Sequence, residues 1–404
     1  MQGMLYRRIF IHPQINRMRK KEKINVLFIA CSTALWKVDS LYKRLLSHKR
    51  FQVEILIVPN PTIADLKMRA TELQQLRSFF DYKGYHFVEW CDIEGNSQYE
   101  NIPSEYDLLF YPQPYPGLVP PPLDFPRNLN KLLIDCEYAF HSGNQDWAYN
   151  KMYQNIAFLD CYENNVIRKL SENIKKNKGI NSVTTGLAFV DDFMRNQYTS
   201  PWKKQPTPCK KIIWAPHWTI TGKHGVYLNY SNFIELSKYM LEFAHEQIGK
   251  VQFAFKPHPW LKRELYKHPD WGKERTDAYY SAWEHGINTQ LEQGEYIDLF
   301  MTSDAMIHDC SSFCCEYLLT GNPVLFMAKN EAQQVSQLNE MAKNAFYAQY
   351  IGYTTEDLHT FLNRQVFFGQ DPKKSERTKV VETYLIPPNN ISAAENIIKE
   401  ILGK

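Results

Sequence analysis

The chain has 404 residues, is 44% hydrophobic and 23% charged, and carries a net charge of +3 at pH 7. This composition excludes a disordered or fibrous chain, and the length suits two or three domains of roughly 100–200 residues each. The mild charge is spread along the chain, which gives no reason to expect a nucleic-acid partner.

The basic segment 1–23 is the exception. Arg7, Arg8, Arg17, Arg19, Lys20, Lys21 and Lys23 face a single acid, Glu22, among Met4, Leu5, Ile9, Phe10 and Ile11. Such an arm could lie on an anionic membrane surface; a frayed tail is the simpler alternative. Strand-like runs then alternate with amphipathic stretches. Strands are predicted at 24–30 (INVLFIA), 53–58, 85–90, 108–111, 132–136, 156–160 and 183–185. Helices are predicted over 36–48, 63–80 and 165–175, and the proline-rich 112–126 must be a loop. Near-continuous apolar runs separated by helices imply a parallel sheet covered on both faces. The polar, proline-containing 197–209 reads as a linker.

The alternation then restarts. Strands are predicted at 211–215, 252–256, 305–308 and 324–327, with helices at 233–247, 275–285, 312–319, 332–343, 355–363 and 393–402. Two βα series imply an α/β fold of two Rossmann-like lobes with a ligand cleft between them. The expected boundaries are a basic arm at 1–23, an acceptor lobe at 24–200, a nucleotide-donor lobe at 201–390 and a C-terminal helix at 391–404. The eight cysteines show no CxxC pair and no metal spacing, which reads as buried free thiols in a reducing compartment. No apolar run reaches the ~18 residues of a membrane span. The expected location is cytoplasmic, or peripheral to the inner face of a membrane.

The most informative stretch is 303–326, SDAMIHDCSSFCCEYLLTGNPVLF. A strand ends at His308 and Asp309, and Ser311 and Ser312 open a helix carrying Glu316. Unpaired N–H groups at a helix start favour an anion, the serine hydroxyls add donors, and Glu316 could accept from ribose hydroxyls. The simpler alternative is a serine N-cap. In FAFKPHP (253–259), Pro257 and Pro259 restrict His258 at a strand's carboxyl end, where Lys256 and His258 could neutralise a pyrophosphate or protonate a leaving phosphate. IIWAPHWTI (212–220) places His217 just past another strand. In the first half, His141 in YAFHSGNQDW is the candidate base, with a surface loop histidine as the alternative. Cys31-Ser32-Thr33 lacks a dinucleotide fingerprint.

These residues resemble the CDP-glycerol glycerophosphotransferase family of teichoic-acid and capsule polymerases. The matching pieces are 215–218, 256–259 and 303–324 in order, with DPKKSER at 371–377 similar to the family's tail. The resemblance implies a GT-B fold. It gives Ser311, Ser312 and Glu316 to the donor's phosphates and ribose, and His258 to the pyrophosphate. No W-H-G motif is present; AFHSG around His141 is the nearest. His217 stands where many members carry Thr-Trp-Arg, and could replace the missing arginine. These departures point to a capsule or O-antigen branch.

The implied partners are CDP-glycerol or another nucleotide-diphosphate donor and a glycan or lipid-linked acceptor, with CMP as the leaving group. His141 or Asp309 would take the hydroxyl proton. No cofactor and no metal are expected, because no Asp-x-Asp motif is present. An inverting sugar-nucleotide glycosyltransferase and a non-catalytic nucleotide-binding assembly partner are the competing readings.

Overall fold

The computed structural model describes residues 7–111, 117–220, 230–310 and 312–404. They form two compact units. One comprises 1–140, 145–194 and 386–404, and the other 141–144 and 195–385.

The first unit is built on a seven-stranded parallel sheet in the order β3-β2-β1-β4-β5-β6-β7. The strands are β1 (Ile24–Ala30), β2 (Phe51–Ile57), β3 (Phe87–Glu89), β4 (Leu108–Tyr111), β5 (Leu132–Cys136), β6 (Leu159–Tyr162) and β7 (Ser182–Thr184). Side chains alternate across a strand, so β1 feeds two cores. Val26 and Phe28 pack with Leu41, Leu45 and Ile397 on one face, while Leu27 and Ile29 pack with Leu56, Leu123 and Leu133 on the other. The second unit carries a six-stranded parallel sheet in the order β10-β9-β8-β11-β12-β13. Its strands are β8 (Lys210–Ala215), β9 (Val251–Phe255), β10 (Thr289–Leu291), β11 (Ala305–His308), β12 (Val324–Met327) and β13 (Tyr350–Gly352). Trp214 of β8 stacks on Phe233 and packs against Phe255 and Trp283.

Several sequence expectations change. The basic arm is not a free amphipathic segment. His12–Lys20 is a helix whose Ile15 and Met18, with Ile11, are buried in the core of the first unit. The apolar positions 11, 15 and 18 recur at helical spacing, and docking them removes that face from any membrane. Arg19 donates to the carbonyls of Ile401 (3.0 Å) and Glu400 (2.9 Å) at the end of the C-terminal helix Ala393–Leu402. That helix packs on the first unit, its first amides bonded to Asp191 at 2.7 and 2.9 Å. The 197–209 segment is not a loose linker: the Lys203 amide donates to Gln290 (2.9 Å), and Gln252 donates to the Lys203 carbonyl (2.9 Å).

The run around 156–160 splits into a helix, Met152–Ile156, and β6. The helix expected over 332–343 is two helices, Glu331–Ser336 and Glu340–Tyr347. The Asn339 side chain caps the second by accepting from the Ala342 amide at 2.9 Å. The three-residue strands β10 and β13 and the helix Leu261–Lys267 carry no sequence expectation. Among the described residues no helix is long and apolar enough to cross a membrane.

Candidate functional site

Four strands of the second unit end close together because β9, β8, β11 and β12 are neighbours in the sheet. Parallel strands put all their carboxyl ends on one edge, and the loops leaving that edge hold the candidate residues.

Past β8, the His217 amide donates to Asp309 Oδ1 at 2.6 Å, just beyond β11. Asp309 Oδ2 accepts from the Asn232 amide at 2.7 Å. One carboxylate therefore fastens both ends of the connection between β8 and the helix Phe233–Glu246. Asp309 is 3% exposed, and burial pushes its carboxyl up to about 7, against the pull of the Asn232 and His217 amides. Both oxygens being committed to backbone amides, the geometry suits an anchor better than the proton acceptor expected from sequence.

His217 and His258 lie 5.1 Å apart, ring centre to ring centre. The Trp260 amide donates to His258 Nδ1 at 3.1 Å. The Thr219 amide donates to His217 Nδ1 at 3.4 Å, and Thr219 Oγ1, which accepts from the Tyr230 amide at 3.1 Å, sits 2.9 Å from the same nitrogen. With each Nδ1 accepting, each neutral imidazole carries its proton on Nε2. Burial holds His217 down at about 3, with His258 nearby adding to the effect. Burial, then Lys256, holds His258 at about 4. At neutral pH the pair is uncharged and presents Nε2–H donors, not imidazolium acids. The His258 amide in turn donates to the Pro216 carbonyl at 3.0 Å, tying the two proline-flanked turns together.

Past β11, the Ser312 side chain does not cap the following helix; its hydroxyl lies 3.1 Å from Cys310 Sγ. The helix expected over 312–319 is short, Phe313–Glu316 continuing as a 3₁₀ turn Tyr317–Thr320 that closes on Gly321 at φ 72°. So short a helix has little macrodipole, and an anion there would have to be held by individual N–H groups and the Ser312 hydroxyl. Ser311 lies outside the described residues. His308 at the end of β11 is 1% exposed and bonds Gln349 through Nε2 at 2.7 Å, which shapes the turn without facing solvent.

Lys256 donates to the Gly294 carbonyl at 3.1 Å, and its ammonium lies 5.4 Å from the Tyr296 ring centre. The Tyr296 hydroxyl donates to Glu316. Lys256, Tyr296 and Glu316 thus form one connected cluster. Asn232, Thr219 and Tyr296 had no sequence signal of their own, because their partners lie far away along the chain.

His141 belongs to the second unit, not the expected acceptor lobe. Segment 141–144 is bonded to the turn between the helices that follow β12. The Asn339 amide donates to the Ser142 carbonyl at 2.9 Å, and the Asn144 amide donates to the Gln337 carbonyl at 3.0 Å. The Asn339 side chain also donates to the His141 carbonyl. The His141 residue is 7% exposed, which rules out the simple surface-loop alternative.

The region holding these strand ends matches the model of the CDP-glycerol:poly(glycerophosphate) glycerophosphotransferase family over residues 191–402. The chain belongs to this family. It is a CDP-glycerol glycerophosphotransferase-like transferase. None of the curated proteins matches it in sequence. Among solved structures, a variant of the wall teichoic acid polymerase TagF is similar with a TM-score of 0.58 and 12% identity, over 99% of this chain and 92% of that one. TagF soaked with CDPG is similar with a TM-score of 0.55 and 12% identity, over 99% of this chain and 97% of that one. UDP-GlcNAc 2-epimerase from Neisseria meningitidis, bound to UDP-GlcNAc, is similar with a TM-score of 0.53 and 13% identity, covering 95% of this chain and all of that one. At such identity these likenesses are of fold alone: α/β of the GT-B type, with two Rossmann-like lobes.

Proposed function

We propose that this transferase moves glycerol phosphate from CDP-glycerol to a hydroxyl of a cell-surface glycan or its lipid-linked precursor, releasing CMP. The acceptor oxygen forms a bond to the β-phosphorus, and the bond from that phosphorus to the bridging oxygen breaks. CMP leaves with the electron pair. Phosphoryl transfer needs little beyond positioning and charge neutralisation. The observation that carries the reading is the His217–His258 pair. Two neutral rings, each with Nε2–H as donor, stand where β8 and β9 end, within the stretch matched by the family model.

In this reading His258 Nε2–H binds the donor's diphosphate and stabilises charge on the leaving CMP. His217 takes the place of the arginine many members carry. Ser312, with its neighbour Ser311, holds phosphate oxygens, and the Lys256 ammonium makes the potential around them more positive. Glu316 accepts from the ribose hydroxyls. Asp309 anchors the His217 turn, and His141 takes the acceptor's proton. TagF, which is similar in fold, has been soaked with CDPG, and that supports the same donor class here.

A donor panel tests the proposal. Purified protein is incubated with CDP-glycerol, CDP-ribitol and sugar nucleotides in the presence of a lipid-linked glycan, and nucleotide and product are resolved by mass spectrometry. CMP with an added glycerol phosphate is the expected outcome. A nucleoside diphosphate with an added hexose would mean a glycosyltransferase instead.

A further inference from the structure

Glu316 is 2% exposed, and a carboxylate in such a place needs hydrogen bonds to remain ionised. One comes from Tyr296, which reaches it from a different part of the sheet. Tyr296 follows β10 at the sheet edge, whereas Glu316 follows β11. The tyrosine is itself 8% exposed and has little freedom to turn. Its ring packs on Phe300 at 4.7 Å and Phe313 at 5.4 Å, and the Lys256 ammonium lies on the ring 5.4 Å from its centre. A phenol clamped this way fixes where one carboxylate oxygen lies, and with it the plane of the carboxylate.

We infer that Tyr296 is the positioning residue that aims Glu316 at the ribose diol of the donor, so that its hydroxyl sets the preference for a ribonucleotide over a deoxyribonucleotide. The inference rests on the proposed cytidine-nucleotide donor. Recognition of a diol needs an acceptor held at a set distance and angle, because hydrogen bonds weaken steeply when misaligned. A site built to bond a hydroxyl penalises an analogue lacking it, through the buried group left without its partner. Tyr296→Phe keeps the ring and its packing, and removes only the hydroxyl that orients the carboxylate.

The test is calorimetric binding of CMP and 2′-deoxy-CMP to the full chain, its Y296F variant and its Glu316→Gln variant. Wild type should favour CMP by about tenfold or more. Y296F should bring that ratio close to one, with 2′-deoxy-CMP affinity changed by less than about twofold. E316Q should lose the preference as well. In turnover, Y296F should raise KM for CDP-glycerol and leave kcat nearly unchanged. Because the ratio is measured within each folded variant, a general loss of stability does not imitate this result. A Y296F protein that keeps the wild-type preference overturns the inference, as does a wild type that binds both nucleotides equally. A wild type that binds neither overturns the donor assignment on which the inference rests.

Discussion

His258 shows how a single side chain is tuned. Its Nδ1 accepts from the Trp260 amide and its own amide donates to the Pro216 carbonyl, so ring and backbone are both fixed before any ligand arrives. The low value of about 4 follows from burial first and from Lys256 second, which keeps Nε2–H as a neutral donor at pH 7. Preorganised donors of this kind are typically worth about 10²–10³ in kcat. His258→Ala should therefore lower kcat by about two to three orders of magnitude. His258→Gln, whose Nε2–H can occupy a similar place, should recover part of the loss. Steady-state kinetics with CDP-glycerol checks both, and an alanine variant near wild-type rate would remove His258 from the reaction. At this scale the sequence was legible where rigidity was written locally. Prolines on both sides of His258 and before His217 announced held imidazoles. Tyr296 and Asn232 were not legible, because each acquires its role from a partner that only the fold brings near: Glu316 for one, Asp309 for the other.

Elements follow the same logic one level up. Strands β1, β4, β5, β11 and β12 have the ends expected of them, since short apolar runs bounded by turns leave little choice. The three-residue strands β10 and β13 are too short to show a period, and the buried helix Ser312–Leu319 was read longer and more regular than the four-residue helix and 3₁₀ turn that form. The arm was read only in part. Its many cations drew attention to a membrane, while Ile11, Ile15 and Met18 at helical spacing carried the structural signal. Met18 is 1% exposed. Met18→Ala should cost about 2–4 kcal/mol through lost burial and the cavity left behind. Urea unfolding would measure it, and a change below about 0.5 kcal/mol would mean the helix does not belong to the core.

Across the whole molecule, two parallel sheets were legible from the restart of the strand–helix alternation near residue 210. Two long-range facts were not. The C-terminal helix, Ala393–Leu402, returns to the first unit, and the 141–144 segment joins the second. Chain order does not say where an element docks; burial of Ile397, Ile398 and Ile401 does. The buried histidines also set a pH dependence for the molecule. His308 is held down to about 4 by burial, against an ordinary value of 6.5. Between those values the unfolded chain takes a proton that the folded one refuses. The stability it contributes is therefore complete above pH 6.5 and is lost as pH falls towards 4, with a slope of up to about 1.4 kcal/mol per pH unit. His308→Gln should flatten the acid side of the stability profile by up to that slope in chemical denaturation at stepped pH. An unchanged slope would mean His308 is protonated in the fold.

In the proposed function the proline-held imidazole and the serine turn after β11 share one diphosphate. A crystal structure of the protein soaked with CDP-glycerol measures this most directly. Diphosphate oxygens are expected within hydrogen-bonding reach of both His258 Nε2 and the Ser312 hydroxyl or amide. A donor bound with its diphosphate away from either group would contradict it.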